Sequence, residues 1–203
     1  MALRVLTMAN TPNTPAEATR IAPADGGEET HPGESRRSRL CDFMAAEHAR
    51  LDALLVSAAA GSGADRVTAY QDFRKGLLRH IGIEEKILFP AAQHRRNGEP
   101  LLPAGRLKVD HGALAALVML PPSASTFRAL QAVLNAHNPL EDAPGGVYDQ
   151  CESLAQEQVD ELLDRCVKAA EVPVSPWVEN PKVLAAAKRV LARAGYDPAV
   201  LDE

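Results

Sequence analysis

The chain has 203 residues, 46% of them apolar and only 4% aromatic, with a formal charge of -5 and a pI near 5.7. This length supports one ordinary domain with a core built from aliphatic side chains, and the wealth of Ala and Leu over β-branched runs favours helix. The acidic balance argues against a nucleic-acid-binding surface, and no apolar run reaches the roughly 18 residues of a membrane span. Cys41, Cys151 and Cys166 are an odd, sparse set. They read as reduced thiols of a cytoplasmic protein rather than as a disulfide framework.

Residues 1–37 are rich in Pro, Thr, Gly, Glu and Ala and show no apolar period, so they are expected to be a disordered tail. His31 lies there and is given no role. The arginines of Ser35–Leu40 faintly resemble a twin-arginine export signal, but Asp42, Glu47, His48, Arg50 and Asp52 follow where such a signal is apolar. They are read as a solvated helix start.

A helical bundle is expected over 38–170. The first helix should span 38–60, with the seam Cys41, Met44, His48, Leu51, Leu55 and a stop at Gly61-Ser62-Gly63. The second should run from 65 to 95 along Phe73, Leu77, His80, Glu84, Ile87 and Ala91, kinked near Pro90. Gly76 and Gly82 are candidates for close helix approach, and His94 is a surface residue at the helix end. The third helix, 104–119, carries Leu107, His111, Leu114 and Val118. The fourth carries Phe127, Leu130, Leu134, His137 and Glu141, and Pro144-Gly145-Gly146 breaks it. A fifth helical stretch is expected over 148–170. Residues 171–203 read as a Pro-containing linker, anchored by Trp177, and a last helix over 181–194.

Six residues interrupt these apolar stripes: His48, His80, Glu84, His111, His137 and Glu141. Each occupies a seam position, so the geometry that packs the core also makes them converge. Four histidines and two carboxylates buried without partners would lose several kcal/mol of hydration. A shared metal removes that loss. Mixed nitrogen and carboxylate ligation on a bundle suits iron, with manganese the lesser candidate. Four ring nitrogens and four carboxylate oxygens fill about eight of about twelve positions around two six-coordinate ions. Room remains for an oxo or hydroxo bridge and for O2, NO, peroxide or water.

These residues resemble the hemerythrin-like, or HHE cation-binding, domain. The resemblance covers about 38–170. Its carriers are Glu47-His48 with Arg50-Leu51-Asp52, the block His80-Ile81-Gly82-Ile83-Glu84-Glu85-Lys86-Ile87-Leu88-Phe89-Pro90, then Asp110-His111 and His137-Asn138-Pro139-Leu140-Glu141-Asp142. The resemblance implies an all-α, up-down four-helix bundle around a non-haem di-iron centre. It makes His48, His80, His111 and His137 ligands and Glu84 and Glu141 the bridging carboxylates. Two departures stand out. Leu107 and Ala115 flank His111 one turn either side, so the third helix offers one ligand, which disfavours simple reversible O2 carriage. Pro139 can distort the turn before Glu141, so Asp142 competes as the second bridge. Glu47 and Asp110 are candidates for hydrogen bonds to ligand histidines of neighbouring helices, and Glu85 is expected to face solvent.

The leading expectation is a di-iron protein that binds, senses or handles O2, NO or peroxide. A di-iron peroxidase or oxidase and a metal-free helical interaction module are the alternatives. The ligands alone do not separate sensor from enzyme. The expected partner is a small diatomic or peroxide, with no nucleic acid and no membrane.

Overall fold

A computed structural model describes residues 39–202, so the tail expected over 1–37 and His31 lie outside the described residues. Every regular element among the described residues is helical. Four long segments form an up-down bundle. They are α1 (Arg39–Ala60), α2 (Gly63–Ile83), α4 (Ala104–Leu117) and α5 (Ala124–Asp142). The helices α3 (Phe89–Arg95), α6 (Val147–Ala155), α7 (Val159–Val167) and α8 (Pro181–Arg193) complete the unit. No helix among the described residues is long and apolar enough to cross a membrane.

The helices start and stop where side chains dictate. Ser123 caps α5 by accepting from the Thr126 N–H, and Asn180 caps α8 by accepting from Lys182. The break between α1 and α2 is two residues long, which folds α2 back along α1. The buried stripe of α1 is Leu40, Met44, His48, Leu51, Leu55 and Ala58, so the seam begins at Leu40 rather than Cys41.

The second helix departs from expectation in its register. Residues Glu84–Leu88 form a π turn, closed by the Phe89 N–H donating to the Glu84 carbonyl. A π turn inserts one residue into the helical repeat. The buried positions after Glu84 are therefore Leu88, Phe89 and Ala92, not Ile87 and Ala91, which are only partly buried. The turn lies just before Pro90, which has no N–H to continue the regular ladder. Gly76 does sit at a close approach: a Cβ there would lie 2.8 Å from a Leu51 methyl. Gly82 faces open space.

The stretch expected as one fifth helix is two, because Gln156 takes a φ of 51° between α6 and α7. The segment after α7 is fastened rather than loose. Arg74, wholly buried on α2, donates to the Val118 carbonyl at 2.6 Å and to the Ser175 carbonyl at 2.8 Å, and Trp177 lies beside it. Helix α8 buries Ala187 and Leu191 in the same apolar cluster as Leu117 and Leu130.

The apolar interior has two parts. One holds Leu51, Leu55, Phe73, Leu77, Leu114, Leu130 and Leu134 among others; the other holds Leu40, Met44, Ile83, Leu88, Leu107, Val147 and Tyr148. On α1, α2 and α4 the residues singled out in the sequence lie between the two parts, and on α5 His137 and Glu141 follow the first part beyond Leu134.

Candidate metal centre

All six of those residues are buried, with His48 the most accessible at 7%. Their donor atoms gather in two groups of four, each within 4.8 Å of one another. One is His48, His80, Glu84 and Glu141; the other is Glu84, His111, His137 and Glu141. The two carboxylates belong to both groups. Glu84 turns Oε1 to His80 Nε2 at 3.4 Å and Oε2 to His111 Nε2 at 3.0 Å. Glu141 turns Oε2 to His48 Nε2 at 3.4 Å and Oε1 to His137 Nε2 at 3.1 Å.

The helices explain this placement. His80 and Glu84, like His137 and Glu141, are four residues apart and so share one helix face. Helix α5 runs through Pro139 to Asp142 and still delivers Glu141 to the interior, 1% exposed. Asp142 goes elsewhere: its Oδ2 lies 2.7 Å from His48 Nδ1, on the far side of that ring from the cluster. Of the two acids that compete for the bridging place, Glu141 is therefore the one aimed into both groups.

Glu85 corrects an expectation. It lies within the π turn and bends back to His111, Oε1 to Nδ1 at 2.8 Å, rather than pointing to solvent. Two ring nitrogens on the outer side, those of His48 and His111, thus have carboxylate partners that orient the inner nitrogens. The other two expected partners behave differently. Glu47 is held by Arg50 and Arg79. Asp110 is held by Arg106 and Tyr196, with His137 Nδ1 3.7 Å away.

Charge inside the cluster is balanced by protons. Burial disfavours a charged His48, but its hydrogen bonds to Asp142 and Glu141 more than compensate and raise its pKa to about 10. Burial likewise opposes a charged His111, and Glu84 and Glu85 raise it to about 9. Burial alone would raise Glu84, but His80 and His111 hold it well below the usual carboxylate range. Even so, Glu84 Oε2, His111 Nε2 and Glu141 Oε1 are buried with close charged neighbours but no contact of hydrogen-bond geometry. Buried polar atoms are seldom left so. They point at one small volume, and they are of the types that bind a borderline metal. The donor set fits a metal cofactor.

One member of the site was not foreseen. Tyr148 of α6 reaches the first group, its hydroxyl 2.5 Å from Glu84 Oε1 and 3.2 Å from Glu141 Oε2. Its oxygen is also 3.2 Å from His48 Nε2 and 3.3 Å from His80 Nε2. Tyr148 follows the Pro-Gly-Gly break and belongs to no seam of the four main helices. The one signal in the sequence was that break itself, which can return the chain to the site it has just left. A cavity of about 10 Å³, little more than one water in size, touches His48, His80 and His137 and is walled by Leu51, Leu77, Leu114 and Leu134. His94, by contrast, is exposed and apart from the cluster.

A helical bundle whose interior layer consists of histidines and shared carboxylates defines a metal-binding helical protein. The family described as hemerythrin HHE cation binding domain matches residues 39–144, just over half of the chain. The chain belongs to this hemerythrin-like family. Comparison with curated proteins and with solved structures finds no match.

Proposed function

We propose that this chain is a non-haem di-iron protein that binds a small oxidant or diatomic: O2, NO or peroxide. The observation that carries the reading is the pair of carboxylates, each with one oxygen in each donor group. Two metals held by shared carboxylates account for both groups at once, whereas two independent sites would not need the sharing. His48 and His80 would hold one ion, His111 and His137 the other, and Glu84 and Glu141 would span them. Iron is preferred over manganese because half of the donors are imidazole nitrogens.

When bound, the metal pair supplies redox electrons and an open coordination position for the incoming ligand. The protein does the rest. Asp142 and Glu85 fix the rings of His48 and His111 so that Nε2 points inward. The small cavity beside His48, His80 and His137, walled largely by leucines, has room for about one small molecule next to the centre. Each group offers four protein donors, fewer than a six-coordinate ion takes, which leaves room for the incoming ligand.

The test is metal analysis of the freshly purified full chain after anaerobic iron loading. It is paired with visible spectra before and after O2, NO and peroxide. About two irons per chain and a spectrum that changes with one of these ligands are expected. Chains that take up no metal would overturn the reading. Iron without any spectral response to the three ligands would overturn the ligand-binding part.

A further inference from the structure

We propose that Tyr148 is itself a metal ligand, the fifth protein donor of the group formed by His48, His80, Glu84 and Glu141. This rests on the metal-centre reading above and goes beyond it, because it makes the two halves of the centre chemically different.

The argument is geometric. Donors at neighbouring corners of an octahedron with bonds of about 2.1 Å stand about 3.0 Å apart. In the first group, neighbours run His48 to His80 at 2.9 Å, His80 to Glu84 at 3.4 Å and Glu141 to His48 at 3.4 Å. The Tyr148 oxygen is 2.5, 3.2, 3.2 and 3.3 Å from the four. It is thus a neighbour of every one of them, as the apex of a square pyramid is to its base. An oxygen at the centre of the group would instead lie about one bond length, 2.1 Å, from all four. A phenol that only donated one hydrogen bond to Glu84 would have no reason to keep an even distance from two imidazole nitrogens and a second carboxylate.

The backbone is built for this arrangement. Tyr148 comes seven residues after Glu141, across a turn in which Gly145 has a φ of 77°. At Gly146 a Cβ would lie 2.5 Å from the Glu141 carbonyl oxygen. Only glycine permits a turn this tight, and the turn brings the phenol back onto the group Glu141 has just served. The residue is 2% exposed, so the phenol is shielded from bulk water.

In the ligation step the phenolic O–H bond breaks, an oxygen–metal bond forms and the proton leaves to solvent. No electron is transferred. Among the described residues no other tyrosine plays this part for the second group, His111 and His137 with the other two carboxylate oxygens: the Tyr70 hydroxyl donates to the Leu120 carbonyl and that of Tyr196 to Asp110. The phenol fills one side of the centre, and an exogenous ligand is directed to the other.

The test uses the full chain loaded with iron(III). Wild type should show a visible phenolate-to-iron charge-transfer band. Raman spectra excited in that band should show tyrosine ring modes that shift when ring-deuterated tyrosine is incorporated. Tyr148→Phe should bind iron at saturation but lose the band and the modes, and release one of its irons to a chelator at least tenfold faster. The chain has three tyrosines, Tyr70, Tyr148 and Tyr196. Should Tyr148→Phe not fold, Tyr70→Phe and Tyr196→Phe, each retaining the modes, assign them to Tyr148 by difference. Two irons per chain without phenolate modes, or modes that survive Tyr148→Phe, would overturn the inference and leave the di-iron reading standing. A chain that binds no iron would sink both.

Discussion

Glu84 and Glu141 are the residues on which the two donor groups depend in common, since each gives one oxygen to each. A histidine belongs to one group only. Glu84→Ala should therefore abolish uptake of the second metal and weaken the first. His80→Ala should remove the metal of its own group, and the exposed His94→Ala should change nothing. Metal content after gel filtration checks all three; loss of metal in His94→Ala with retention in His111→Ala would contradict the assignment. The protons on His48 and His111 give a second prediction. Their pKa values in the metal-free fold, about 10 and about 9, lie above the ordinary 6.5. The stability they add is complete below about 6.5 and is lost as pH rises through those values. A metal must displace the same protons, so its affinity should climb with pH between about 6.5 and 9, by about tenfold per unit for each proton released. Competition against a chelator measures the slope. A flat profile would mean that both rings are already neutral.

The elements show what sequence pattern can and cannot carry. The seams of α4 and α5 were legible because a regular helix repeats the same face every three or four residues, and nothing interrupts it before His111 or Glu141. The π turn was not legible: it shifts the register by one after Glu84, and only Pro90 hints at it. Glu85 gained its place beside His111 in that turn, so an error in register became an error about a functional side chain. Tyr148 was hidden for a different reason. Its position depends on a turn, and turns carry no period. The glycines of these elements make contrasting predictions. Gly82 is in a helix interior facing open space, so Gly82→Ala should stabilise the fold by about 0.5–1 kcal/mol through helix propensity. Gly146→Ala puts a Cβ against the backbone carbonyls of Glu141 and Ala143, which cannot swing aside. It should cost about 1–3 kcal/mol and displace Tyr148. Thermal denaturation of the two variants, compared with wild type, separates these signs.

At the scale of the whole molecule, the polar layer divides the interior. Leu51, Leu77, Leu114 and Leu134 belong to the apolar cluster on one side of it, and Met44, Leu88, Leu107 and Val147 to the cluster on the other. Both clusters draw on the long helices, but they are also fastened separately. Arg74, Trp177 and α8 close the first, while α6 and α7 close the second, with Arg79 donating to the carbonyls of Cys166, Val167 and Ala169. Besides the continuous helices α1, α2 and α4, what joins them across the layer is the set of His and Glu contacts, and several of those donor atoms lack a well-formed hydrogen bond. A metal pair would therefore act as a clamp between two cores. At ligand levels of about 100 to 1,000 times Kd, binding to the folded state alone adds about 2.7–4.1 kcal/mol. Removing the metal should lower the melting temperature accordingly. It should also reduce cooperativity, because each cluster keeps its own closing helices when the layer between them loosens. Differential scanning calorimetry before and after chelation is the measurement: a broadened or split transition is expected in the chelated protein. A single transition of unchanged sharpness, shifted or not, would show that the two clusters unfold together without the clamp.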